Sequence, residues 1–187
     1  MNEKDIILKL KGLLDPARFR HSLRVRKTIL LLSRSHKVDL KKASIAGLLH
    51  DVSRYMDRPE LLRFAKKIKM KIDPISGFEP KLLHADLSAF IARERFGIKD
   101  KQVLQAIKRH TLGGTNMTIL DKIVYVADHI EEGRTHAGAK KARRLAKRDL
   151  DKAIIEISGS MASYLLDKKL PVHPTTIEVR NYYLLKK

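Results

Sequence analysis

The sequence predicts an all-α protein, because helix signals recur along the chain while strand signals are few. Strands would show apolar and polar residues in alternation, and this pattern is weak here. No Asn-Gly or Asp-Gly pair offers a tight hairpin turn. Residues that can cap a helix, by contrast, precede apolar runs throughout. We therefore expect a compact bundle of irregular helices, which a chain of 187 residues can form around one core.

The first part of the chain divides into five predicted helices. Asp15 followed by Pro16 is an N-cap with proline at the first helical position, and Gly97 is typical of a helix C-terminal stop. The proline and glycine residues of the 73–80 segment indicate a loop. The five helices are expected from about Asp15 to Ser35, Asp39 to Arg54, Pro59 to Met70, His84 to Phe96 and Asp100 to His110.

The remainder of the chain holds a turn-rich loop followed by more helix. Thr118 and Asp121 form a capping-box pattern that opens a helix to about Ile130, which also gives Asp121 a structural role. Gly133 and Gly138 bracket a further loop. Predicted after the loop at Thr111–Asn116 are the Thr118–Ile130 helix, one or two amphipathic helices over Lys140–Lys169, a break at Pro171 and Pro174, and a last helix over Thr175–Leu185.

Composition excludes several classes of site. Cysteine is absent, so a disulfide, a thiolate metal site and a cysteine nucleophile are all excluded. No apolar run is long enough for a membrane span, and the residues after Met1 lack a signal-peptide layout, so we expect a cytoplasmic protein with no membrane partner. The net charge of +19 favours a polyanionic partner, although a generally solubilising surface would give the same total.

Six polar side chains fall on apolar helix faces. Residues three, four and seven apart share one side of a helix, so the residues on the same face as each candidate can be identified from the sequence. A single histidine in such a place is more often a hydrogen-bonded core residue than a ligand. Burying six polar groups without mutual partners would be costly, whereas a shared metal centre satisfies them together. The six are His21, His50, Asp51, His84, His110 and Asp128.

Six protein ligands exceed what one catalytic metal with an open position would use, so two divalent ions are expected. Asp51 is the natural bridge because it directly follows His50, and Gly47 is interpreted as leaving room beside its carboxylate. Imidazole and carboxylate ligands suit iron, manganese, zinc, cobalt or nickel without selecting among them. Two cations and two aspartates leave a net positive site that fits a phosphate, with metal-bound hydroxide as nucleophile.

The remaining basic and imidazole groups are less specific. Four arginines near the predicted ligands are candidates for holding phosphate oxygens, with a solvated or salt-bridged arginine as the equal alternative: Arg18, Arg54, Arg109 and Arg134. His36, His129 and His173 are expected outside the site, and His136 is left open. The Lys140–Arg148 cluster is interpreted as an ordinary exposed helix face, with RNA contact as the minor alternative.

In the order His21, His50-Asp51, His84, His110, Asp128 the chain resembles the HD-domain metal-dependent phosphohydrolases. It is more similar still to the YqeK-type symmetrical dinucleoside tetraphosphate hydrolases. The segment from His110 to Arg134 is the most specific part, and the match spans nearly all of the chain after its first fifteen residues. Other matching stretches are Arg18–Val25, Ala46–Asp51, Ala106–Thr111 and His173–Glu178 with Asn181.

The resemblance implies a single HD domain over 1–187, with a metal-binding core at about 18–134 and C-terminal helices at about 139–187. It implies a two-metal centre, with iron as the metal, that cleaves diadenosine tetraphosphate to two ADP. Asp51 and Arg54 are the catalytic candidates. Arg54 stands where HD proteins often have lysine, and Gly113-Gly114-Thr115 departs slightly from the family's loop. Substrate contacts are expected from Arg18, Arg109, Thr111 and Arg134.

Two alternatives stay open at this point. One is an HD phosphohydrolase acting on another nucleotide, such as a nucleoside monophosphate or a signalling nucleotide. The other is a basic RNA-binding protein whose metal site is structural, which steeply salt-dependent RNA binding without hydrolysis would favour. Neither periodicity nor spacing decides whether subunits pair, so a homodimer is open as well.

Overall fold

A computed structural model describes residues 2–186, and the prediction of an all-α fold is confirmed. This part of the chain holds eleven α-helices, one 3₁₀ helix and no strand. The α-helices are α1 (Glu3–Leu13), α2 (Pro16–Ser35), α3 (Leu40–Leu49), α4 (Arg58–Lys67), α5 (Pro74–Phe78), α6 (His84–Phe96), α7 (Lys101–Arg109), α8 (Ile119–Ile130), α9 (Ala137–Ala146), α10 (Leu150–Asp167) and α11 (Pro174–Leu185). The 3₁₀ helix, Pro80–Leu83, leads directly into α6.

Several helix ends fall where the local chemistry predicts them. The Asp15 carboxylate accepts the N–H groups of Ala17 and Arg18, both at 2.9 Å, and opens α2. The Thr118 hydroxyl and the Asp121 carboxylate form the reciprocal capping box of α8. Gly97 ends α6 with a φ of 67°, a left-handed conformation that glycine adopts without strain.

Other predicted elements were wrong. Helix α3 ends at Leu49, not near Arg54, because the chain turns at the His50-Asp51 pair. The expected loop at 73–80 contains α5, which Asp73 caps by accepting two backbone N–H groups. Gly138 lies inside α9, not in a loop. Helix α1 precedes all predicted elements, with Ile6 and Leu10 buried one helical turn apart.

Helix α8 is the centre of the molecule. It packs on α2, α3, α7, α9 and α10. Nine of its twelve residues are buried, including the run Leu120–Ala127, so neither face of α8 is left to solvent along most of its length. A helix enclosed on all sides is apolar all round, and the two acidic residues in it, Asp121 and Asp128, are therefore exceptions that need partners.

Gly47 lets α3 approach the backbone of α2. A Cβ at this position would lie 2.8 Å from Ile29 Cδ1 and 3.0 Å from Arg26 Cα. The sequence interpretation that this glycine makes room beside the Asp51 carboxylate is therefore wrong. The missing side chain of Gly47 instead allows α3 to pack closely against α2. This close packing brings His50 and Asp51, which follow α3, toward α2.

Among residues 2–186, no helix combines the length and the apolar character needed to cross a bilayer.

We expect Gly47→Val to lower the free energy of unfolding by about 2 kcal/mol, because a branched side chain would overpack the contact between α2 and α3. Gly12→Val is the matched control, since a Cβ there meets nothing within 4 Å. The control should change stability by less than about 0.5 kcal/mol. Urea denaturation followed by circular dichroism measures both, and equal stability of the two variants would contradict the close approach.

Candidate metal centre

The structure brings together all six side chains that the sequence singled out. His21 comes from α2, His84 from the first turn of α6 and Asp128 from α8. His50 and His110 are the residues that follow the last turns of α3 and α7. Three overlapping groups of potential ligand atoms, each within 4.8 Å, share members of this set: His21, His50 and Asp51; His50, His110 and Asp128; and Asp51, His84 and His110.

The two carboxylate oxygens of Asp51 face different pairs of histidines. Its Oδ2 lies 3.6 Å from the Nε2 atoms of both His21 and His50. Its Oδ1 lies 3.2 Å from His84 Nε2 and 3.7 Å from His110 Nε2. One carboxylate thus stands between two sets of nitrogen donors. Asp128 completes the first set, with Oδ1 3.0 Å from His21 Nε2 and 3.9 Å from His50 Nε2.

The Nδ1 atom of each histidine is bound to an oxygen that can only accept. His50 Nδ1 lies 2.8 Å from the Gly47 carbonyl, and His110 Nδ1 lies 2.6 Å from the Ile107 carbonyl. His84 Nδ1 bonds to the Lys81 carbonyl in the same way. These three acceptors are each three residues before the histidine, in the last turn of the preceding helix. Each of these three rings therefore carries its proton on Nδ1 and donates it to a carbonyl near a helix end.

The tautomer of these rings determines whether the site can bind cations. In a neutral ring with Nδ1–H, the Nε2 atom carries a lone pair, and all four Nε2 atoms point into the cluster. His84 and His110 bring their Nε2 atoms to 2.9 Å from each other. Lone pairs facing one another and facing carboxylate oxygens repel, and cations placed between them remove that repulsion. The donor set therefore fits divalent metal ions.

The protonation states of His50 and Asp51 also suit metal ligands. Burial lowers the pKa of His50 to about 4, although the neighbouring Asp51 opposes the shift. Burial would raise the pKa of Asp51, but contacts with the surrounding histidines outweigh it and hold that pKa well below its usual range. At neutral pH His50 is therefore neutral and Asp51 ionised, which is the state in which each binds a metal.

Glu131 is a site residue that the sequence reasoning missed. Its buried carboxylate accepts from His21 Nδ1 at 3.3 Å, from Arg24 Nε at 2.6 Å and from the Gly133 N–H at 2.6 Å. It therefore does for His21 what backbone carbonyls do for the other three histidines. Glu131 lies in the segment that most resembles the family and just after α8, but neither signal reveals a partner 110 residues away.

The four candidate arginines are placed differently. Arg18 donates to Asp51 Oδ2 at 2.7 Å, and Arg134 donates to Asp128 Oδ1 at 3.2 Å, so both border the ligand cluster. Arg54, three residues after Asp51, is half-buried, and burial lowers its pKa while Asp51 opposes the shift. Arg109 instead pairs with the buried Asp121 at 3.1 Å, so it borders a helix cap and not the six-residue cluster.

Thr111 stands beside the second pair of histidines. Its hydroxyl oxygen lies 3.1 Å from the Nε2 atoms of both His84 and His110. The Thr111 hydroxyl can donate to one of these two Nε2 lone pairs, and it can rotate toward a charged ligand that binds nearby.

A cavity of about 820 Å³ opens onto the ligand cluster. His84, Thr111 and Asp128 form part of its wall, together with residues from α5, α10 and α11. Its volume lies in the range of sites that enclose small molecules. His129, His136 and His173 also line this cavity, although none of the three belongs to the metal-ligand groups.

The basic Lys140–Arg148 cluster is partly structural. Arg143 turns inward and donates to the carbonyl oxygens of Ile130, Glu131 and Arg134 at 2.8 to 2.9 Å. Lys141 forms an ion pair with Glu156 at 2.7 Å. Arg143 thus stabilises the turn that carries Glu131.

Comparison with known protein families matches residues 18–133 to the HD domain. Three relatives are named symmetrical bis(5'-nucleosyl)-tetraphosphatase. That of Halalkalibacterium halodurans is 36% identical over 186 residues, covering 100% of this chain and 99% of the relative. That of Staphylococcus aureus is 37% identical over 175 residues, covering 92% and 90%. That of Bacillus subtilis is 32% identical over 182 residues, covering 97% of each chain.

A solved structure shares the whole fold. It is the crystal structure of a predicted HD superfamily hydrolase involved in NAD metabolism from Clostridium acetobutylicum, with a TM-score of 0.95 and 33% identity. The alignment covers 100% of this chain and 99% of that one. The resemblance noted from the sequence is therefore confirmed along the full length.

We expect Glu131→Gln to weaken Mn²⁺ binding about tenfold to a hundredfold, because a neutral amide holds the His21 ring less firmly and lowers its basicity. The matched control is Glu132→Gln, whose carboxylate is exposed and pairs with Lys27 at 3.0 Å. Competition with a chelator measures the affinity, and thermal melting checks that both variants are folded. Equal Mn²⁺ affinity in the two variants would show that Glu131 does not position His21.

Proposed function

This chain belongs to the HD-domain family, and from that membership we propose that it cleaves diadenosine tetraphosphate symmetrically into two ADP. The full-length relatives named symmetrical bis(5'-nucleosyl)-tetraphosphatase support the substrate. The single observation that carries the chemistry is Asp51, one carboxylate between two pairs of imidazole nitrogens.

We propose that two divalent ions bind, with iron as the native metal. His21, His50 and Asp128 would hold one ion, His84 and His110 the other, and Asp51 both. Two such ions supply an activated water and neutralise the charge of the attacked phosphoryl group. The absence of cysteine leaves nitrogen and oxygen donors only, a set that also accepts manganese, cobalt, nickel or zinc.

The chain's own cations would hold the substrate phosphates. Arg18 and Arg134 each bond to a ligand carboxylate, which keeps a guanidinium beside the attacked phosphoryl group. Arg54 adds a positive charge in the same region. Thr111 would donate to a phosphate oxygen near His84 and His110. Arg109 would act indirectly, by positioning the loop after α7. It pairs with Asp121 of α8 and donates to the Asn116 carbonyl in that loop.

The net charge of +19 supports a substrate as anionic as a tetraphosphate, because a positive surface raises the rate of encounter. We also propose that 1–187 is one HD domain. Residues 18–134 would supply the ligands, while the C-terminal helices supply the outer wall of the cavity through residues such as Ile157 and Thr176.

Purified protein loaded with Fe²⁺ or Mn²⁺ should convert diadenosine tetraphosphate to ADP as the sole product, because attack at the central bridge leaves two equal halves. Chromatography of the products measures this. The appearance of ATP with AMP would mean asymmetric cleavage and would sink the proposal. A panel of nucleoside monophosphates and cyclic nucleotides, expected to react far more slowly, tests the alternative substrates.

We expect Asp51→Ala to abolish turnover and to reduce bound metal from two ions to fewer than one per chain, because both ions lose a ligand. His50→Ala should also abolish turnover, but with one ion retained. His36→Ala is the control, since this histidine lies at the end of α2 outside the ligand groups. Elemental analysis and an activity assay on the same preparations measure both effects. Full activity in Asp51→Ala would show that the catalytic site is elsewhere.

A further inference from the structure

Two aromatic rings are exposed on the wall of the cavity. Phe78, at the end of α5, is 68% exposed, and Tyr164, on α10, is 56% exposed. They are the only aromatic residues among the exposed large hydrophobic residues of 2–186, and both line the same cavity. The chain has no tryptophan and only five phenylalanines and five tyrosines. Aromatic residues are therefore rare in this chain, and two of them are exposed on one cavity wall.

The surroundings of the two rings are apolar. Met161 and Leu170 are also exposed large hydrophobic residues that line the cavity, and Pro171 lies beside them. Apolar side chains gathered in a concave site indicate a ligand with an apolar surface. The cavity is continuous with His84 and Asp128 of the ligand cluster, so its occupant must carry both a flat apolar group and an anionic group that reaches the metal centre.

Four polar side chains of the cavity wall already have partners within the chain. Ser160 donates to Glu156 at 3.2 Å. His136 Nδ1 accepts the Ala139 N–H at 3.2 Å, and His173 Nδ1 accepts the Thr175 N–H at 3.1 Å. Glu79 accepts from the Arg58 guanidinium. These contacts reduce the number of groups available to form hydrogen bonds to the edge of a base.

From these observations we propose that Phe78 and Tyr164 stack on the nucleobase of the substrate half held in the cavity, and that they bind it by its face without reading its edge. The proposal rests on the function proposed above, since it assigns the apolar wall to one nucleoside of a dinucleoside polyphosphate. Every base presents a π-face, so stacking of this kind tolerates different bases. Adenine and guanine should therefore be accepted alike.

The test is isothermal titration of Mn²⁺-loaded protein with ADP, with GDP and with inorganic tripolyphosphate, which has no base. Phe78→Ala and Tyr164→Ala should each weaken ADP binding about tenfold or more, the loss typical of one aromatic stack on a base. Tripolyphosphate binding should stay within about twofold. Phe78→Tyr and Tyr164→Phe should bind ADP as the wild type does, because the ring remains. Leu31→Ala, which alters an exposed apolar residue outside the cavity, is the matched control.

Unchanged ADP binding in both alanine variants would overturn the stacking, as would an equal loss of tripolyphosphate binding. A preference of more than about thirtyfold between ADP and GDP would overturn base tolerance. The titration does not depend on turnover, so the two proposals fail separately. Wild-type protein that binds ADP through the rings but makes no ADP from diadenosine tetraphosphate would refute the proposed reaction alone. Normal cleavage with ring-independent binding would refute the stacking alone.

Discussion

The hydrogen bond from each histidine Nδ1–H to an oxygen acceptor is the interaction on which the site depends. It fixes the tautomer, the rotation of the ring and the direction of the Nε2 lone pair at once. Three of the acceptors are carbonyls of the preceding helical turn, and the fourth is Glu131. A ligand set held this way needs little rearrangement to bind an ion, since its donors already converge.

The same bonds explain the shape of the chain around the site. Helices α3 and α7 stop at the residue before a histidine because the imidazole takes a carbonyl that a further helical turn would have used. The partly negative C-terminal ends of both helices are thereby directed at a place suited to cations. Asp128, by contrast, is carried within the continuous helix α8. Its Oδ1 faces the Nε2 atoms of His21 and His50 and the guanidinium of Arg134.

Sequence patterns predicted the helical class, most helix boundaries and the convergence of six side chains, because caps, helical periodicity and buried polar residues are local signals. They could not predict that α3 ends at Leu49, since the hydrophobic pattern continues through His50 while a side-chain hydrogen bond ends the helix. Gly47 was assigned to the wrong neighbour because spacing shows which residues share a face but not which helix lies opposite. Glu131 and the cavity wall were missed for a related reason: both depend on contacts between distant segments.

Placing His50 and His110 directly at helix ends has a consequence for how the protein can vary in length. Each residue added to a helix advances its end by about 1.5 Å and rotates it by about 100°, so one insertion within α3 or α7 would swing the terminal imidazole away from the cluster. The segment between α4 and α5 carries none of the six candidate ligands, so an insertion there would leave these imidazoles in place. Changes in length should therefore be tolerated in the periphery and excluded from two of the shortest helices in the molecule.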